Sequence, residues 1–204
     1  MKFLYSVMVI LLVQACATKN LNIVDENLTP LEEFSNVTEV SQSPLSFKIN
    51  RVTDKRAIKD RVGMGRTGLS NRVTPIVIST GVEYYVQLSL GLGLKQRGVY
   101  VDEQSLNNLN VDILELWVEE KKDGKIGEIS ECRLKFAFDL SLANSPGSKW
   151  QGEIAVQAAS NGSILDATAL NPRMISSCMN EALEKFVQDK DFQKMFRLKL
   201  KNNI

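Results

Sequence analysis

The segment CRLKFAFDLSL, residues 132–142, decides the fold. Cys132, Leu134, Phe136, Phe138, Leu140 and Leu142 fall on one side of it, and Arg133, Lys135, Asp139 and Ser141 on the other. Successive side chains of a β-strand point to opposite faces, so this alternation predicts a strand with one buried row. Upstream, LNVDILELWVEE at 109–120 is apolar on both faces, which suits a central strand, and KKDGK with Asp123 and Gly124 closes a hairpin between the two. Downstream, NSPGS at 144–148 turns the chain, and Trp150, Ile154, Val156 and Ala158 make the next alternating row. The result is a three-stranded antiparallel meander.

A meander with one apolar face needs a cover. Ile175, Cys178, Met179, Ala182, Leu183, Phe186 and Val187 recur at spacings of three and four, the period of a helix face, with Asn171 as cap and Pro172 at the first helical position. A second helix is expected over about 81–97, opened by a Thr80/Glu83 capping box and ended at Gly98. Gly91 and Gly93 each weaken it by up to about 1 kcal/mol, which implies close packing against a neighbour. Before it, Leu45, Phe47 and Ile49 alternate as a first strand, and Val73–Ile78 is short and β-branched. The order β-(β)-α-β-β-β-α defines an α+β fold, mainly antiparallel, with two helices packed on one face. It occupies one domain, residues 44–192, followed by a tail at 193–204.

Cys132 and Cys178 both point toward that core. Two readings stand: a disulfide, whose loop of about 46 residues would contribute roughly 4 kcal/mol through loop-closure entropy, or two buried free thiols.

The N-terminus, MKFLYSVMVILLVQAC, sets the compartment. One cation, an apolar run from Phe3 to Val13 and a small-residue end are the order of a secretory leader at 1–15, and the run falls short of the roughly 20 residues a spanning helix needs. Val13-Gln14-Ala15-Cys16 resembles the lipobox of bacterial lipoproteins, which implies that Cys16 is diacylglyceryl-modified and becomes the new N-terminus. Ala17 stands where an aspartate would favour the inner membrane, so the resemblance implies the outer membrane, periplasmic side. Residues 16–43 read as a lipidated end and tether. As a coil the 27 residues after Cys16 would span roughly 28 Å, and about 90 Å if stretched.

GMGRTG at 63–68 matches the dinucleotide fingerprint GxGxxG. That motif needs a buried strand before it and a helix after it. Here the charged VTDKRAIKDRV precedes it and LSNRVTPIVIST follows it, with Pro75 and β-branched residues opposing a helix. The periplasm also lacks a nucleotide pool, so no nucleotide or other cofactor is expected, and the glycines read as a flexible loop.

Lys2 is the one charge lost with the leader, bringing the 25 bases level with the 24 acids, so no global attraction to nucleic acid is expected. The chain has no histidine, which removes His-activated nucleophiles and the usual zinc and iron sites; no catalytic or metal-binding residues are assigned. Glu115, between Ile113 and Trp117, is the acid best placed for burial, with Lys135 as its hairpin partner. Residues 48–72 hold eight cations against two acids. Arg51, Lys55, Arg56, Lys59, Arg61 and Arg66 form a candidate patch for an anionic partner, weighed against the preferred reading of a solvated loop paired with acids such as Glu119 and Glu120.

Taken together, the lipobox, the Val52-x-Asp54-x-Arg56 segment, Arg97-Gly98-Val99, the meander and the C-terminal helix running into Asp189, Asp191 and Phe192 resemble the YajG-type bacterial lipoproteins. The resemblance implies location and a small α+β domain rather than an activity. Three functions follow in order of support. The first is a non-enzymatic interaction or scaffold module in envelope assembly, held to the membrane by its lipid and docking a protein partner. The second is a carrier for an apolar or glycan ligand, in a cavity lined by Leu134 to Leu142. The third is carboxylate catalysis.

Overall fold

The structure is a computed structural model that describes residues 21–23, 45–66, 73–123, 127–145, 147–163 and 167–197. The expected leader, Cys16 and residues 198–204 lie outside the described residues. Seven strands, β1 (Leu21–Ile23), β2 (Lys48–Asp54), β3 (Gly63–Arg66), β4 (Val73–Ile78), β5 (Asn108–Asp123), β6 (Gly127–Ser141) and β7 (Lys149–Ser163), form one mixed sheet. Helices α1 (Val82–Gln96), α2 (Ala167–Gln188) and α3 (Lys190–Phe196) complete an α+β fold.

The long antiparallel ladder β5–β6–β7 is the predicted meander. β5 is central: β6 lies along one edge, while β2 and β3 share the other, each parallel to it, β2 along Asn108–Ile113 and β3 at Val118 and Glu119. β4 pairs β3, and β1 pairs β4 in parallel.

The two-faced apolarity of β5 has a different cause from the one expected. A bulge between Ile113 and Glu115 inserts Leu114, so the buried row switches from Leu109, Val111 and Ile113 to Leu116, Val118 and Glu120. The bulge turns Leu114 and Trp117 to the opposite face, the re-aiming that bulges produce.

GMGRTG does not form a loop throughout, because Gly63–Arg66 is β3. Gly63 is required there by proximity: a Cβ would lie 2.8 Å from the carbonyl carbon and 2.9 Å from the nitrogen of Val118, and closer still to its oxygen. The residue is glycine so that backbones can meet, not to cradle a phosphate.

Three helix expectations are corrected. No capping box forms at α1: the N-cap is Gly81, and Glu83 Oε1 accepts the Asp54 amide (3.0 Å). α2 begins at Ala167, upstream of Asn171 and Pro172. The expected tail starts with helix, since α3 runs to Phe196, and Asp189 caps it by accepting from the Phe192 amide at 2.8 Å. Within the expected tether, Leu21–Ile23 is β1, in register with Ile76–Ile78.

Helices and core share one face of the sheet. Ile175, Cys178, Met179, Leu183 and Phe186 of α2 are buried with Leu134, Phe136, Phe138 and Leu140 of β6. Cys132 and Cys178 are joined by a disulfide, Cα atoms 6.4 Å apart. Rings of Phe138, Trp150, Phe186, Phe192, Phe196 and Phe47 continue the core beneath α3, with Phe138–Phe186 centroids 4.9 Å and Phe47–Phe196 5.3 Å apart. Asp189 Oδ1 also accepts the Trp150 indole N–H (2.9 Å), so the buried ring keeps a polar partner. Gly93 of α1 makes room for Leu183, as the close-packing argument requires, whereas a Cβ at Gly91 would meet Ile49 at an ordinary 3.8 Å.

Candidate functional site on the bare face of the sheet

The other face of β2, β5, β6 and β7 carries cross-strand pairs. Arg133 Nε lies 3.1 Å from Glu115 Oε1, Lys135 Nζ 2.7 Å from Glu153, Lys121 Nζ 2.6 Å from Glu131 and Lys55 Nζ 2.6 Å from Asp112. Such half-exposed pairs each contribute about 0.2–1 kcal/mol and set register more than stability. Lys135 is the register partner of Glu115 across the hairpin, as expected, but the ion pair of Glu115 is with Arg133, and Glu115 is half exposed, so the burial expected of a catalytic carboxyl is not found.

Among the described residues, an apolar cleft of about 380 Å³ lies on this polar surface. Its floor is Leu114 and Trp117, turned outward by the bulge; its lip is Ala57 and Ile58; Glu115, Glu119 and Arg133 rim it. Ile58 is 42% exposed, a large apolar side chain left in water beside an aromatic.

Arg56 builds the lip. It is buried, with Nε and Nη2 donating to the two oxygens of Asp54 (2.9 and 2.8 Å), and Nη1 donating to the carbonyls of Arg61 (2.9 Å) and Leu116 (3.3 Å). Asp54 Oδ1 also accepts the Arg56 amide at 3.0 Å. The Val-x-Asp-x-Arg segment is thus a bidentate staple that holds residues 55–61 against β5 just past its bulge. Burial opposes ionisation of Asp54, but the hydrogen bonds and charge of Arg56, with Lys59 adding, outweigh it and hold the carboxyl below its ordinary value.

Among the described residues the candidate anionic patch is therefore not assembled as one surface. Arg56 is consumed internally, Lys55 is neutralised by Asp112, and Arg61 Nε lies 3.9 Å from Asp60. Arg51 and Lys59 are exposed, and the side chain of Arg66 lies outside the described residues. Among the described residues the acids that pair with these cations include Asp54, Asp60 and Asp112. A second hollow of about 400 Å³ holds Arg51 with Asn110, Asp112, Asp139, Gln151 and Glu153. Gln151 Nε2 donates to Asp139 at 3.0 Å there.

Arg97, of the Arg-Gly-Val segment, is likewise structural: fully buried, it pairs with Glu184 (Nη2–Oε1 2.8 Å) and donates to the Gly93 carbonyl (2.9 Å) and to Asn180. Burial pushes its pKa down, and Glu184 acts in the opposite sense. Gly98 follows at φ +82°, the left-handed position that ends the helix.

The carrier reading places its cavity between Leu134–Leu142 and the helices, where Leu134–Leu140 are buried under α2. The cleft lies on the opposite face. Sequence reasoning missed Trp117, Leu114 and Ile58 as a group. The available signal was the broken alternation in ILELW, where neither parity keeps all the apolar residues on one side.

Among the described residues no helix is long and apolar enough to cross a membrane, and no group of three metal-capable side chains gathers. No protein-family model and no curated protein sequence matches the chain. Among solved structures it is similar to a Xanthomonas campestris protein of the DUF330 family (13% identity, TM-score 0.47, covering 74% of this chain and 89% of that one). It is also similar to a minor lipoprotein from Acinetobacter baumannii (12%, TM-score 0.36, 74% and 97%). A third likeness is to a putative neuraminyllactose-binding hemagglutinin homolog from Helicobacter pylori (13%, TM-score 0.34, 79% and 94%).

Proposed function

We propose that this protein is a YajG-type lipoprotein, acylated at Cys16, anchored in the outer membrane on its periplasmic side, and acting without catalysis as a docking module for a protein partner in envelope assembly. The leader and the lipobox support the anchor. The Cys132–Cys178 disulfide fits an oxidising compartment.

Docking is carried by one observation: the bulge in β5 spends Trp117 and Leu114 on the bare face, opposite exposed Ile58, instead of in the core. Leu114 and Trp117 stay partly exposed and Ile58 is 42% exposed, which forgoes up to about 1 kcal/mol each, and apolar clefts ringed by charge mark interaction sites. The complementary segment carries an apolar or aromatic anchor flanked by charges that answer Glu115, Glu119 and Arg133.

A photo-reactive amino acid at Ile58 tests this in intact cells. A single protein adduct that disappears on Trp117→Ala, with thermal stability retained, is the expected result. Adducts with lipid or glycan alone, or a protein adduct indifferent to Trp117, reject docking at this cleft. Intact mass of the mature N-terminus tests the anchor separately.

A further inference from the structure

Strand β7 ends the sheet. Among the described residues it pairs only with β6, in an unbroken register from Lys149 to Ser163. The Leu142 amide donates to the Ser148 carbonyl, which extends that register and fixes its parity. Even-numbered residues of β7 turn N–H and C=O toward β6, and odd-numbered ones turn both away. The Ala155 carbonyl agrees, since it accepts from Lys185 Nζ of α2 at 2.9 Å.

Natural sheets blunt such a margin with lysine, proline, a bulge or short length. Between Gln151 and Asn161, β7 itself carries none of these, and its one charge there is Glu153. Ala155, Gln157 and Ala159, whose amides face outward, are exposed. The other margins are guarded: β1 is three residues long, and β2 carries Lys48 and Arg51 with a register shift between Ile49 and Arg51.

The charges beside the β7 margin come from α2. Lys185 pairs there with Glu181 (3.3 Å). α2 runs antiparallel to β7, because Cys178 is bonded to Cys132, the register partner of Ala158, and Asp189 past the helix accepts from Trp150. Lys185 is thus level with Ala155, and Glu181, one turn earlier, lies toward Ala158. Cation and anion flank the level of Val156.

We infer that β7 pairs antiparallel with β7 of a second copy of this chain, about a two-fold axis at Val156. Ala155 then faces Gln157 of the second copy, and Glu153 faces its Ala159. Outward residues from Gln151 to Asn161 exchange about twelve main-chain hydrogen bonds, two at each facing pair. The two Glu153 carboxylates stand roughly 20 Å apart along the strands, so no like charges meet. The same axis sets Lys185 against Glu181 of the second copy, and Glu181 against its Lys185. A second copy fits because these charges answer themselves under two-fold rotation. Lys185 releases the Ala155 carbonyl to the incoming amide and takes the facing carboxylate.

The pairing joins the two bare faces into one. Trp117 is level with Arg133 and Gln157, so five strand spacings, roughly 24 Å, separate the two clefts. A partner with two docking segments gains avidity there, a consequence that rests on the docking reading, whereas the pairing does not.

The test uses the full lipidated chain in non-ionic detergent, with micelles in large excess so that two chains do not share one by chance. Sedimentation velocity is expected to show a reversible dimer. Gln157→Pro removes an amide that β6 does not use, so circular dichroism should be retained while dimer affinity falls about tenfold or more. Lys185→Glu and Glu181→Lys each weaken the dimer, and mixing the two single variants restores it, since two acids then face two lysines. A pair acting only within one chain gives no such rescue, and the mixture decides the matter if the proline variant does not fold. In cells, a photo-reactive amino acid at Ala159 is expected to give an adduct of twice the chain mass. A wild type that stays monomeric into the high-micromolar range, a dimer untouched by these variants, or a mixture that stays monomeric overturns the inference. An adduct at position 159 with a different protein overturns it as well. None of these variants touches the Trp117 cleft, so adduct formation at Ile58 reports on docking separately.

Discussion

Two buried arginines do different work in the two layers. Arg97 and Arg56 are each almost sealed from water, each paired with a carboxylate, and each donates to main-chain carbonyls. Arg97 finds its acid 87 residues away and joins α1 to α2 within the covered layer. Arg56 finds its acid two residues away and reaches Leu116 across 60 residues only through a carbonyl. The same chemistry thus locks the helical layer in one case and shapes a surface lip in the other. A buried ion pair does not report its role by its geometry; what it holds in place does.

The contrast breaks first at Arg97. Arg97→Ala leaves Glu184 and the Gly93 carbonyl facing a vacated site, which is expected to cost about 3–5 kcal/mol. Thermal unfolding followed by circular dichroism reads this directly. A loss under about 1 kcal/mol would show that the helical layer is not held there. The disulfide belongs to the same layer, and Cys178→Ser is expected to cost about 2–4 kcal/mol by freeing the loop between positions 132 and 178. Neither change should alter ligand contact at Trp117 in the molecules that remain folded.

The staple ranks next. Asp54→Asn keeps the shape but removes the charge, with an expected loss of about 1.5–3 kcal/mol. It also loosens residues 55–61, so proteolysis in that stretch is expected to quicken before global unfolding does. pH gives an independent check. The folded carboxyl titrates below its ordinary value of 3.8, so its contribution is complete above that pH and is lost as pH falls through the lower folded value. The wild type should therefore lose stability more steeply than Asp54→Asn as acid is added below about pH 4. Parallel curves would mean that the pair contributes shape and not charge.

What the sequence discloses follows the length of each unbroken period. β6 is legible because one alternation runs from Cys132 to Leu140, and α2 because its stripe spans several turns. β1 has three residues and no period, and α3 offers only Phe192, Met195 and Phe196 as apolar marks, so both are invisible until tertiary partners fix them. The cleft is hidden for a subtler reason. A bulge looks in sequence like a strand apolar on both sides, and β5, flanked on both edges, satisfies that description as well. Arg56 is hidden because a cation in a basic stretch reads as solvated. Its acid, Asp54, becomes a clue only once the two are known to share a buried corner.

The smallest effect on stability is expected where the effect on binding is largest. Trp117 is half-buried on the bare face and takes no part in the core, so Trp117→Ala should cost about 0.5–1 kcal/mol of stability, near the range of surface substitutions. As a central aromatic of a docking site it should cost more than about 2 kcal/mol of binding, roughly a thirtyfold loss of affinity. Arg97→Ala predicts the reverse ranking. Measuring both variants for unfolding and for adduct yield at Ile58 gives a crossed pattern if the two layers are separable. If Trp117→Ala instead unfolds the protein as readily as Arg97→Ala, the bulge is a packing device, and the division between a locked face and a working face does not hold.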